Sequence, residues 1–125
     1  MKKIIIILIV GLIPSISFAN VGGKQVFVSC NSVDATGACA SGSVSPDSIK
    51  ITYTVVVTGA PSAVTLNIEG SVDKATWFTL DSSTTTTSEM RHIVNKPVMH
   101  IRANLATLTG GTAPRVRVLF ISRGK

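Results

Sequence analysis

Residues able to carry acid–base, nucleophilic or metal chemistry are scarce in these 125 residues: two histidines, six carboxylates and two cysteines. His92 and His100 lack the His-Glu-x-x-His spacing that sets two imidazoles on one helical turn around zinc, so in strands they are expected as outward or edge residues. No Gly-x-Ser-x-Gly elbow marks a nucleophilic serine, and the many Ser and Thr residues read as strand faces. Glycoside hydrolysis needs two carboxyls held across a cleft. Glu69, Asp73 and Asp81 instead lie near turns around one hairpin, which predicts turn-capping Asp and a solvated Glu. Cys30 and Cys39, with eight residues between them and no histidine nearby, make a poor zinc pair. The sequence therefore predicts a non-enzyme, with no catalytic residue, no cofactor and no metal site.

Contact chemistry is better represented. Arg115 and Arg117 share one strand face, and His100 and Arg102 share another. Beyond residue 19 the aromatics are Phe27, Tyr53, Trp77, Phe78 and Phe120. Most are expected in the core, which leaves no stacking platform and argues against a nucleic-acid partner. The candidate contacts for a ligand or partner are Trp77, Ser71, Asp73, Arg102, Arg115 and Arg117. A lone tryptophan is either a core residue or a stacking surface for a sugar or a partner, and both readings stay open.

The segment that precedes these residues is a different kind of element. Met1-Lys2-Lys3, the aliphatic run Ile4 to Ile13, then Pro14 and the small-residue site Ser17-Phe18-Ala19 form the pattern of a signal peptide cleaved after Ala19. The apolar run to Phe18 also falls short of the roughly 20 residues that span a bilayer. The expected division is a leader, 1–19, and one domain, 20–125, that touches membrane only through the leader. The expected location is the periplasm, the extracellular space or a virion surface. Loss of Lys2 and Lys3 leaves ten Lys and Arg against six Asp and Glu, a net charge of +4. Export makes a Cys30–Cys39 disulfide expected, worth roughly 2.5–3 kcal/mol in the chain-entropy account.

Alternation dominates the remainder. Ile49, Ile51, Tyr53, Val55 and Val57 share one face against Lys50, Thr52, Thr54 and Thr58. Val64, Leu66 and Ile68 alternate with Thr65, Asn67 and Glu69, and Gly59-Ala60-Pro61-Ser62 between the two runs predicts a hairpin. Further strands are expected at Gln25–Cys30, Thr76–Leu80, Met90–Val94, Val98–Asn104 and Arg115–Ser122. Seven short strands and no amphipathic helix predict an all-β, antiparallel β-sandwich, jelly-roll or immunoglobulin-like. Its interior is expected to hold Ile51, Tyr53, Val55, Leu66, Ile68, Val116, Val118 and Phe120. The Ser, Gly and Ala of 38–45 and the Ser and Thr of 82–88 read as solvated loops, and Gly110-Gly111 as positive-φ positions before Pro114.

Three motifs carry a resemblance: E-G-S-x-D-x-x-x-W-x-x-L from Glu69, K-P-V-x-x-I-R-A-N from Lys96, and G-G-T-A-P from Gly110. They resemble a small β-sandwich domain of phage virion and tail-associated proteins, over more than half of 20–125. More loosely, the Ser71, Asp73 and Trp77 hairpin is similar to discoidin-like and carbohydrate-binding sandwiches. The resemblance implies a non-enzymatic structural, assembly or surface-interaction domain whose partners are proteins or further copies of itself. A secreted carbohydrate-binding recognition module, with a glycan partner, is the alternative. The chain departs from the pattern at Lys74, where glycine commonly follows the Asp, and in having a leader. Ser71 and Asp73 are suited to accept turn N–H groups. Trp77 and Leu80, three apart, either need a bulge to share a face or place Trp77 outward.

Overall fold

The computed structural model describes residues 19–21, 24–44 and 50–123. The expected leader is thus outside the described residues except for Ala19, the first residue of β1. Ten strands follow in chain order: β1 Ala19–Val21, β2 Lys24–Val33, β3 Gly37–Ala38, β4 Gly42–Ser43, β5 Lys50–Thr58, β6 Ala63–Ser71, β7 Phe78–Ser83, β8 Ser88–Val94, β9 His100–Thr109 and β10 Arg115–Arg123. The seven longer ones match the seven expected from alternation, and β1, β3 and β4 are additions of two or three residues.

One sheet runs β1-β2-β10-β5-β8 and the other β3-β9-β6-β7, with β4 also on β9. Pairing throughout is antiparallel. If β3 and β4 are taken as two halves of one edge strand and β1 is set aside, the eight strands from β2 to β10 are ordered 1-8-3-6 and 2-7-4-5. That is the double Greek key of a jelly roll, which decides between the two expected topologies.

One sequence expectation is corrected by this order. β5 and β6 are not a hairpin: β5 pairs with β10 and β8, and β6 with β9 and β7. Residues 59–62 carry the chain from one sheet to the other, as do residues 110–114 between β9 and β10. Turn-forming residues reverse the chain in either case, and alternation identifies a strand's buried face without identifying its neighbour. The two crossings brace each other, since Thr112 N–H donates to Gly59 O at 2.8 Å and Ser62 N–H to Thr109 O at 2.8 Å. Gly110 and Gly111 sit at φ +76° and +73°, and a side chain on Gly111 would run into the Gly59 and Ala60 backbone.

All eight expected interior residues are at most 1% exposed. Phe27 and Phe120 stack at 5.1 Å between centroids, and Tyr53 leans on Phe120 at 5.9 Å. Each open side of the sandwich is then fastened. On the β2 side, the Cys30–Cys39 disulfide, Cα–Cα 5.1 Å, joins the two sheets, and the buried Ser29 hydroxyl donates to Ala40 O at 2.6 Å while accepting Ala103 N–H at 3.0 Å. On the β7–β8 side the fastening is ionic.

Candidate functional site

Asp81 lies on β7 opposite Ile68, so strand parity turns it toward the sandwich interior rather than into a turn. Its carboxylate accepts the Tyr53 hydroxyl at 2.8 Å and a two-point contact from Arg91 on β8, Nε at 2.8 Å and Nη2 at 3.1 Å. Glu89 joins through Ser83 Oγ at 2.5 Å. The Arg91 guanidinium and, more weakly, the Tyr53 hydroxyl hold Asp81 below the usual carboxylate range against the opposing effect of burial. Burial first, then Asp81, pushes the Tyr53 phenol well above its ordinary value. The expectation of Asp81 as a turn cap is thus corrected: an ionised carboxylate clasps the two sheets.

The six candidate contacts fall into three separate places. Ser71 and Asp73 organise the β6–β7 turn. Asp73 Oδ1 accepts the Ser71 hydroxyl at 3.0 Å and the N–H groups of Ala75 and Thr76 at 2.9 Å, and Ser71 Oγ accepts Lys74 N–H at 2.8 Å. The N–H groups of Thr76 and Ala75, then the Ser71 hydroxyl, keep Asp73 below the usual carboxylate range. Lys74, where the resembling domains commonly have glycine, has φ +67°, the left-handed conformation that glycine adopts most easily.

Trp77 and Arg102 do meet, on the outer face of the β3-β9-β6-β7 sheet. A bulge at Leu80, between the pairs Ile68–Asp81 and Glu69–Thr79, returns Leu80 to the core cluster. Trp77 is left half-buried outside that cluster. The Arg102 guanidinium covers its ring at 4.2 Å from the centroid. Glu69 holds Arg102 in place, Oε1 to Nε 2.8 Å, and also accepts Asn104 Nδ2 at 3.3 Å. Asn67 accepts the Ser82 hydroxyl at 2.6 Å beside them. Glu69 is therefore not the solvated residue expected; its side chain is 14% exposed. Adjacent strands set Glu69 directly opposite Arg102, a register that no local pattern announces.

Arg115 and Arg117 lie on the opposite side of the molecule, on the outer face of the β2-β10-β5-β8 sheet. Arg115 reaches Ser32 O at 3.1 Å and Asp34 at 3.8 Å. Arg117 is in no ion pair among the described residues. The surface it shares is apolar in its middle: Val28, Leu119, Thr54 and Met90 are successive partners across four strands, and Val26, Ile121, Thr52 and His92 form the next row. Alternation in β5 and β10 marks their buried side; the signal for this patch is that the other side of β2 and β10 also carries Val26, Val28, Leu119 and Ile121.

His92 Nδ1 lies 2.9 Å from Thr52 Oγ1 on this surface, and neither histidine forms an ion pair with a carboxylate among the described residues. Among the described residues no group of three or more His, Cys, Asp and Glu is placed to hold a metal ion.

No family model matches the chain, and no curated protein is significantly similar to it. Solved structures are similar in fold. The SPBc2 prophage-derived protein YomS superposes with a TM-score of 0.62 at 12% identity, over 81% of this chain and 93% of that one. The PBSX exported protein XepA superposes at 0.52 with 16% identity over 84% of this chain, which spans only 40% of XepA. A family 29 carbohydrate-binding module reaches 0.45 at 13% identity, over 86% of this chain and 75% of that one. The prophage-derived YomS is of the phage kind that the sequence motifs resemble, and at these identities the likeness is one of fold.

Proposed function

We propose that this chain is an exported, non-enzymatic structural or assembly domain that works through its outer faces by binding protein. The observation that carries the reading is the outer face of the β2-β10-β5-β8 sheet, where Val26, Val28, Val56, Met90, Leu119 and Ile121 occupy positions that a solvated sheet fills with polar residues. The prophage origin of YomS and the exported character of XepA support it. Residues 1–19 act as the leader and 20–125 as the working unit. Intact mass of the recovered protein checks the first part: a chain starting at Asn20 is expected, and one starting at Met1 contradicts export with cleavage. Sedimentation of the tagged chain from its own host checks the second. Wild type is expected in a fraction heavier than monomer, and Leu119→Glu, still folded by its melting temperature, in the monomer fraction. A wild-type chain found only as free monomer contradicts the reading.

Glycan recognition is the second reading, and the cluster of Trp77, Arg102, Asn104, Asn67 and Ser82 favours it. Arg102 already covers one face of the Trp77 ring, so the indole is not a bare platform for a sugar ring. A glycan array read with wild type and Trp77→Ala tests it: retention that vanishes in the variant supports a glycan site, and absence of retention contradicts it.

A further inference from the structure

We propose that the outer face of the β2-β10-β5-β8 sheet docks a protein surface that combines an apolar ridge with a rim of carboxylates. This rests on the interaction-domain reading above and adds the partner's chemistry. The apolar part is centred on β2 and β10, where register sets Val28 beside Leu119 and Val26 beside Ile121; Thr54 stands between Leu119 and Met90, and Val56 lies on the other side of that row, beside Arg117. Neighbouring strands lie about 4.8 Å apart, so the row crosses roughly 14 Å of the sheet. Met90 at 62% and Val56 at 42% are its most exposed members.

The charge around this patch is mostly positive. Lys50, Arg115 and Arg117 are exposed outward positions of the same sheet. Among the described residues β5, β8 and β10 place no carboxylate on that face. Glu89, the one acid of β8, turns inward to Ser83 and Arg91. Asp34 answers Arg115 at one end, but Lys50 and Arg117 are in no ion pair among the described residues. The opposite sheet shows the contrast: there Arg102 is neutralised by Glu69, and the outward residues of β6 and β9 include Thr65, Asn67, Asn104 and Thr107.

These features select among occupants. A second copy seated face to face would set Lys50 and Arg117 against the same cations, a like-charge arrangement that opposes pairing. Nucleic acid would find charge but no aromatic ring for its bases on β2, β5, β8 or β10, whose aromatics Phe27, Tyr53 and Phe120 are buried. Lipid surfaces are held by Trp, Phe and Leu on a deeply inserted face, whereas this face has no outward aromatic among its described residues and interleaves Val26, Val28, Leu119 and Ile121 with Thr52 and Thr54. A protein surface with complementary carboxylates satisfies both the apolar row and the unpaired cations.

The test is a titration of the recovered, labelled protein, followed by amide chemical shifts, with a synthetic peptide whose Leu-Val-Leu-Ile core is flanked by glutamates, and with the same core flanked by lysines. The expected result is shifts confined to β2, β10, β5 and β8, with binding weakened about tenfold or more by Arg117→Glu, by Leu119→Glu and by the lysine flanks. Arg117→Glu, at an exposed position, keeps the test valid if Leu119→Glu folds poorly. Equal binding of the two peptides, no binding, shifts on the β9–β6 face, concentration-dependent dimers dispersed by Leu119→Glu, or tighter retention on phosphatidylglycerol vesicles than by the peptide each overturn the proposal. If the peptide fails while Leu119→Glu still releases the chain from its host assembly, the partner chemistry is wrong and the interaction reading stands. If Leu119→Glu releases nothing, the reading itself fails.

Discussion

Lys74 holds a left-handed backbone conformation, φ +67°, so that the Asp73 carboxylate can gather the N–H groups of Ala75 and Thr76. A side chain there costs about 1–2 kcal/mol relative to a right-handed conformation, and glycine avoids that cost while losing about 0.5–1 kcal/mol of unfolded-state entropy. The first effect wins, so Lys74→Gly is expected to raise stability by roughly 0.5–1 kcal/mol, read as a shift of the urea midpoint at unchanged slope. The turn was legible because Ser, Asp and the following residues act within a few positions of one another. Asp81 was not, since its partners Tyr53 and Arg91 come from β5 and β8. Asp81 has a folded-state pKa below that of the unfolded chain, so the unfolded chain takes up the proton first as pH falls. The contribution of the clasp is therefore complete above the ordinary carboxylate pKa of about 4 and drains as pH drops through the lower, folded-state value. Tyr53, raised in the folded state, works at the other end: its contribution is lost as pH climbs past about 10, where the unfolded phenol ionises first. Asp81→Asn is expected to flatten the acid limb of a melting-temperature profile, leaving the part due to Asp73. An unchanged acid limb contradicts the clasp.

At the scale of elements, parity and pairing had different fates. The eight residues expected in the interior, Leu66 and Val118 among them, are buried, while Ile49, in the apolar run with Ile51, lies outside the described residues; a strand's two faces are written in its own residues. Which strand lies beside which is not, and β5 and β6 separate into different sheets where Gly59–Ser62 suggested a hairpin. Leu66→Ala is expected to cost about 2–5 kcal/mol and Val118→Ala somewhat less, whereas Thr65→Ala, one position along on the outer face, should stay within about 0.5 kcal/mol; denaturant titration distinguishes them. The disulfide belongs to this scale as well, for Cys30 on β2 and Cys39 beyond β3 tie the two sheets together along one side. Reduction, or replacement of both cysteines by alanine, is expected to lower stability by roughly 2.5–3 kcal/mol. A midpoint unmoved by reductant would show that Ser29 and the core suffice to hold that side.

For the whole molecule, the jelly roll has a filled interior, sides fastened by a disulfide and an ionic clasp, and two outer faces of unlike character. The face carrying Glu69, Arg102 and Trp77 satisfies its own charges. The face carrying Met90, Leu119 and Arg117 does not, and it is the face proposed to bind protein. Its apolar row needed four strands in register to become visible, which is why Arg117 stood out in the sequence as a charge and Leu119 did not stand out at all. The most direct measurement is photo-crosslinking in the producing cells, with a photoreactive side chain at Met90 on one face or at Asn67 on the other. A covalent adduct to another protein is expected from position 90 and none from position 67. Adducts from position 67 alone, or equally from both, would contradict that placement of the binding face.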